Sequence, residues 1–182
     1  MGGLPAWGAL SGELVELPWL TAMSADGRGF PRKSAGLPMT LRRVAGGLIG
    51  TSLDFSEGHT SYPGVVHGGV LATVVDQLMG DVVAVQRQVL AFSVTLHVRM
   101  LSPVLVGHAY LATAQVTGDA GGVIFTAATI TCAAGETYVA AKGSFRPIRV
   151  ETARSVLGLS IAECERLSPY FHNEEDPEVR QQ

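Results

Sequence analysis

The sequence predicts an α+β fold in which one long helix packs on one face of an antiparallel sheet. Three observations carry this. A proline-free run, residues 68–88, is long enough for about five turns of helix, whereas strands rarely exceed about ten residues. The four segments after it, residues 91–101, 108–117, 123–133 and 137–145, are rich in Val, Ile, Thr, Phe and Tyr. Turn residues separate those segments: Ser102-Pro103, then Gly118-Asp119-Ala120-Gly121-Gly122 and Ala134-Gly135-Glu136, the last two being hairpin turns.

Taken in chain order, residues 1–36 are broken by Pro5, Pro18, Pro31 and several glycines, and are expected to form an arm or lid with one short helix around residues 13–17. Residues 38–43 and 48–55 read as two strands joined at Ala45-Gly46-Gly47. A Gly/Pro-rich loop, residues 58–64, leads into the long helix. On that helix Leu71, Val74, Val75, Leu78, Met79, Val82 and Val85 fill a broad apolar arc. Thr73, Gln77, Gly80, Asp81, Ala84 and Arg87 fill a narrower polar one, with Asp76 at the seam. After the strands, residues 160–167 predict a short helix and residues 173–182 an acidic, mobile tail. The expected division is thus an arm (1–36), one main domain (37–148) and a C-terminal extension (149–182).

Composition narrows the function. A chain of 182 residues favours one domain, and 47% hydrophobic against 16% charged residues supplies a core and excludes wholesale disorder. With 13 Lys and Arg against 16 Asp and Glu, a net charge of −3 and no basic cluster, nucleic acid is not an expected partner. So little charge in a small chain implies apolar surface covered by another subunit, hence a homo-oligomer. Cys132 and Cys164 stand far apart without C-x-x-C or Cys/His spacing, so neither a disulfide scaffold nor a metal site is expected. The first basic residue is Arg28, which does not suit a secretory signal, and Ala6 does not suit myristoylation. The apolar run at 70–85 is interrupted by Asp76, Gln77 and Asp81 and falls short of the roughly 20 residues of a membrane span, so a cytoplasmic protein is expected.

The residues able to do chemistry lie around the helix start. In Val66-His67-Gly68-Gly69-Val70 two glycines leave backbone N–H groups at the positive end of the helix dipole, which suits an anion or oxyanion. They serve equally well to let the helix pack closely on the sheet. His67 alone reads first as a capping or structural histidine. Asp76 and Asp81 are the only carboxylates between His59 and Gly118. An aspartate at the edge of an apolar arc either remains solvated or, if buried, gains a raised pKa suited to a general base. Asp81, deeper in the polar arc, reads as structural or interfacial.

The run from Gly58 to Asp76, with its Tyr62-Pro63-Gly64-Val65-Val66-His67-Gly68-Gly69 loop, a helix, and an acid nine residues after the histidine, resembles the signature of hotdog-fold acyl-CoA thioesterases of the PaaI-like group. The strand from Phe92 to Pro103, with Ser93 ten residues before the proline, is similar to the family's next strand. The resemblance covers roughly residues 36–148.

It implies a long central helix wrapped by a curved antiparallel sheet, with two protomers joined edge to edge, as a dimer or a dimer of dimers, and each active site at their interface. It implies hydrolysis of an acyl-CoA or acyl-carrier-protein thioester without cofactor or metal. The Gly69 N–H, with Gly68 adjacent, would polarise the thioester carbonyl. Asp76 would act as general base on water or as nucleophile, Ser93 would position it, and His67 would orient the loop. Asp76 and Ser93 would face the oxyanion site of the other subunit. Ser61 stands where relatives carry Asn or another amide, and a hydroxyl donates only one hydrogen bond. Arg99, Lys142 and Arg146 are candidates for the CoA phosphates, and Tyr62, Leu71, Val75, Met79 and Phe92 for the acyl pocket. Two other readings remain: a hotdog protein that binds such thioesters without turnover, as a sensor or accessory factor, and a hydratase or dehydratase on the same fold. The absence of G-x-S-x-G leaves an α/β-hydrolase serine triad without support.

Overall fold

A computed structural model of the chain describes residues 12–17, 33–34 and 36–171. Its strands are β1 (Lys33–Ser34), β2 (Leu37–Pro38), β3 (Arg42–Val44), β4 (Leu48–Asp54), β5 (Thr60–Tyr62), β6 (Val65–Val66), β7 (Ala91–Met100), β8 (Ala109–Ala120), β9 (Val123–Cys132) and β10 (Thr137–Pro147). Its α-helices are α1 (Gly68–Arg87), α2 (Val150–Val156) and α3 (Ile161–Leu167). Six strands make one curved antiparallel sheet in the order β3-β4-β8-β9-β10-β7, and α1 lies across one face of it.

The helix forms where the apolar period of 3.6 predicts it, starting one residue after His67 and ending at Arg87, with Gln88 left-handed (φ 54°) at its C-cap. Its Leu71, Val74, Val75, Leu78, Met79 and Val82 are buried against inward residues of the sheet. Several of those inward residues are small, among them Ala112, Ala114, Ala128, Ala141 and Gly143, which lets the helix approach closely. A Cβ on Gly143 would sit 3.0 Å from the Met79 Cε and 3.1 Å from the Thr126 Oγ1, close enough that these neighbours would have to shift to make room. Each fully buried Val or Leu contributes about 1.5–3 kcal/mol. By length and composition alone the 20-residue α1 could cross a membrane, contrary to the expectation that the run is too short. Here its apolar arc lies against the sheet.

The turns follow backbone chemistry. Gly46 and Gly47 (φ 79° and 77°) join β3 to β4, and Gly121 and Gly122 (φ 60° and 74°) join β8 to β9, all in the region glycine enters without strain. The second turn is only two residues long because β8 runs on through Gly118 by way of a bulge between Val116 and Gly118.

Two expectations for the ends are corrected. Residues 13–17 are extended, not helical: Val15 N–H donates to Leu41 O and Arg43 N–H to Glu13 O, both at 3.0 Å. Val15 and Leu17 are buried while Leu14 and Glu16 are exposed, a strand's alternation. The single strand expected at 38–43 is divided into β2 and β3. Residues 1–11, 18–32 and 35 of the expected arm, and the tail at 173–182, lie outside the described residues. After the sheet, α3 begins at the cap Ser160, which with Glu163 forms a capping box, while α2 was not expected. Ala153, Cys164, Leu167 and Phe171 are buried in the same core, and Leu90 N–H donates to Tyr170 O at 2.8 Å. Ala153, Cys164, Leu167 and Phe171 thus join residues 149–171 to the same core as the sheet.

Candidate active site

His67 is the N-cap of α1, and its Nδ1 accepts the Gly69 N–H at 2.8 Å. Since a backbone N–H can only donate, the neutral ring carries its own proton on Nε2. The imidazole lies so near that a Cβ on residue 69 would fall 2.9 Å from Nδ1, which is why glycine stands there. The amide expected to polarise a carbonyl, Gly69's, is thus already engaged. The neighbouring Gly68 N–H has no acceptor among the described residues, and it occupies the first helical position, where the dipole favours negative charge. Val70 and Leu71 N–H groups both donate to His67 O.

Two turns on, Asp76 is half-buried, and its Oδ1 is buried with no hydrogen-bond partner among the described residues. Burial raises its pKa above the usual carboxylate value, and a hydrogen bond from the Ser93 hydroxyl opposes that rise. Asp81 is different in kind: buried, and accepting from Gln77 Nε2 at 2.9 Å.

Ser93 reaches Asp76 through an irregularity in β7. Ser144 pairs with Thr95, but the next residue, Phe145, pairs with Ser93, so Val94 is an extra residue in the strand. Phe145 is buried and points at α1, its ring 3.6 Å from where a Cβ on Gly80 would be. The bulge therefore turns Ser93 inward beside Phe145, while Thr95 points outward to bond Ser144 Oγ at 2.6 Å.

The other candidates are scattered. Met79 is fully buried in the core, and Tyr62 is 74% exposed beside Ser61, also exposed, on the β5–β6 hairpin. Lys142 lies between inward-facing Ala141 and Gly143, so it and Arg99 point away from α1, as does Phe92 opposite Arg146. Sequence reasoning missed Met100, whose Cε lies 3.6 Å from where a Cβ on Gly68 would be. Strand periodicity places it on the inner face, but nothing local links it to the helix start.

Asp76 lies eight positions beyond Gly68 along α1, about 12 Å at helical rise. One protomer therefore does not bring the free amide and the carboxylate to one small reacting group. Among the described residues no strand pairs with the outer side of β7, and Phe92, Val94, Leu96 and Met100 are exposed there.

No family model matches the chain, and no curated protein matches it. Solved structures do. A thioesterase superfamily protein is 26% identical with a TM-score of 0.57, the match covering 60% of this chain and 53% of that one, so the chain spans about half of its length. Zebra fish thioesterase superfamily member 2 is 25% identical with a TM-score of 0.56, over 70% of this chain and 92% of that one. A Bacillus halodurans protein solved with CoA is 23% identical with a TM-score of 0.58, over 71% of this chain and 86% of that one. With its long helix laid on a curved antiparallel sheet, the chain has the hotdog fold, and it is similar to these thioesterase superfamily proteins.

Proposed function

We propose that the protein is an acyl-CoA thioesterase of the PaaI-like group, hydrolysing a thioester to a free acid and CoA at sites shared between two subunits of a cytoplasmic homodimer or dimer of dimers. The observation that carries this reading is Asp76: a carboxyl with a buried, unpartnered oxygen, a raised pKa and a hydroxyl neighbour, on the helix whose start holds a free amide. Structures of similar proteins solved with CoA or acetyl-CoA support the substrate class.

Hydrolysis needs a nucleophile, a base and a stabilised oxyanion. Asp76 takes a proton from water as the water oxygen bonds to the thioester carbon; acting as nucleophile instead, it would bond to that carbon and expel the CoA thiolate, which takes a proton from solvent, and water would then hydrolyse the acyl-aspartyl anhydride to free acid and regenerate the carboxylate. A base whose pKa lies nearer the working pH contributes roughly a hundredfold to ten-thousandfold. The carbonyl oxygen, now an oxyanion, accepts the Gly68 N–H of the other subunit, one such donor being worth about 3–4 kcal/mol. Collapse breaks the C–S bond, and the departing sulfur takes the proton. Ser93 holds the carboxylate in place. His67, by occupying the Gly69 N–H, leaves a single amide aimed at the carbonyl. Residues 37–148 carry this machinery, and the chain segments before and after support it. Arg99 and Lys142, facing away from α1, could meet the CoA phosphates only by a path around the sheet edge.

The second reading, a binder without turnover, draws on the single free amide and on exposed Ser61 in place of an amide side chain. One experiment separates the two. Free-thiol release is measured on acyl-CoAs with the parent, Asp76→Asn, Gly68→Pro and a refolded mixture of the two variants. Proline removes the amide hydrogen, is tolerated at the first helical position, and suits the extended backbone of His67 (ψ 132°). Each variant should lose at least about a hundredfold. The mixture should recover about a quarter of parent activity, since half the dimers are mixed and half their sites intact. Tight binding by the parent with no thiol release would favour the binder, and no recovery in the mixture would remove the shared site.

A further inference from the structure

We infer that Met100 sets the size of the acyl group accepted at the Gly68 amide, and that this group is uncharged and aliphatic. The inference rests on the thioesterase reading above. Met100 ends β7, is 46% exposed, and brings its Cε beside Gly68, the residue whose N–H has no acceptor among the described residues. A side chain there borders whatever that amide holds. Its exposed neighbours are apolar: Leu101 follows it, and Leu105 pairs with Val65, one residue pair before the helix cap. Val66 N–H to Val104 O, at 2.8 Å, ties this loop to the strand entering α1, which holds the apolar rim against the helix start.

The same stretch lacks charge. Residues 60–75 and 100–118 contain His67 and His108 but no Asp, Glu, Lys or Arg, so a carboxylated acyl group meets no lysine or arginine among them and pays for its desolvation. Methionine is unbranched and polarizable, suited to closing the end of a pocket against flexible chains. Truncating it to alanine removes three heavy atoms, room for about three methylenes, and discrimination at such a site runs roughly 10- to 200-fold.

The test measures kcat/KM on butanoyl-, octanoyl-, dodecanoyl- and succinyl-CoA for the parent, Met100→Ala and Met100→Leu. It is paired with calorimetric binding of the matching non-hydrolysable thioethers and with sedimentation to follow subunit state. Met100→Ala should raise the dodecanoyl-to-butanoyl ratio at least about tenfold, Met100→Leu should leave it within about twofold, and succinyl-CoA should be at least about tenfold poorer than butanoyl-CoA. Equal scaling of every chain length, or uniform loss with dissociation to monomer, overturns the inference while leaving the thioesterase reading intact. A succinyl-CoA rate equal to the butanoyl rate overturns the claim about charge. If no thioester turns over but Met100→Ala still shifts thioether affinity toward longer chains, the hydrolytic reading fails and the role of Met100 stands. Neither turnover nor binding removes both.

Discussion

The two edges of the sheet are finished in different ways. At β3, residues 12–17 run alongside, exchange backbone hydrogen bonds with Leu41 and Arg43, and bury Val15 and Leu17 in the core. At β7 the chain adds nothing among the described residues. Ten residues of strand keep one side unpaired and expose Phe92, Val94, Leu96 and Met100. An open edge lined with apolar side chains is a template for a further strand. It runs from Ser93, beside Asp76, to Met100, beside Gly68, so the candidate site residues border the side left open and none of them borders the side closed by the chain itself. The contrast separates what the fold needs for stability from what it leaves for assembly.

Charging the open edge gives the largest effect. Leu96→Arg is expected to prevent pairing of two β7 strands, and thiol release should fall by about a hundredfold or more while the far-ultraviolet circular dichroism is retained. Analytical ultracentrifugation checks the subunit state, and a fully active monomer would show that the open edge is not the shared site. Ser93→Ala should cost about tenfold to a hundredfold, and its signature is in pH. In the proposed hydrolysis Asp76 acts ionised, so the rate is expected to fall as pH drops through its pKa. The Ser93 hydrogen bond favours the ionised form and holds that pKa down, so its loss should move the acid limb to higher pH. An alanine variant with a lower rate and an unmoved limb would make Ser93 merely structural. At the closed edge, Val15→Ala should reduce stability by about 1–2 kcal/mol in denaturant titration, with thiol release per folded molecule unchanged.

The sequence carried the long helix and the last four strands because their periods, 3.6 and 2, persist over many residues. It carried the hairpin turns because Gly46, Gly47, Gly121 and Gly122 are where positive φ is needed. Residues 13–17 were misread because a window so short fits either period, and what decides is the pairing with Leu41 and Arg43, some 28 residues away. The helix α2, one and a half turns long, has no side-chain cap to announce it. Around the site, His67, Gly68, Asp76 and Ser93 could all be singled out from motif and spacing. The choice between Gly68 and Gly69 could not, since it depends on where one imidazole points. The outward direction of Arg99 and Lys142 was available from strand alternation, whereas the inward direction of Ser93 was hidden by the bulge.

That bulge makes β7 unusually tolerant of shortening. Regular alternation would give Ser93 and Thr95 the same side of the sheet, yet they point opposite ways because Val94 stands outside the one-to-one pairing. Excising Val94 would join Ser93 directly to Thr95 in ordinary up-and-down sequence, with Ser93 still opposite Phe145 and every later partner unmoved. Removing any single residue from Leu96 to Arg99 would instead invert part of the strand. The one position outside the one-to-one pairing thus lies next to the Ser93 hydroxyl, and a deletion there would leave the candidate site residues on the faces they now occupy.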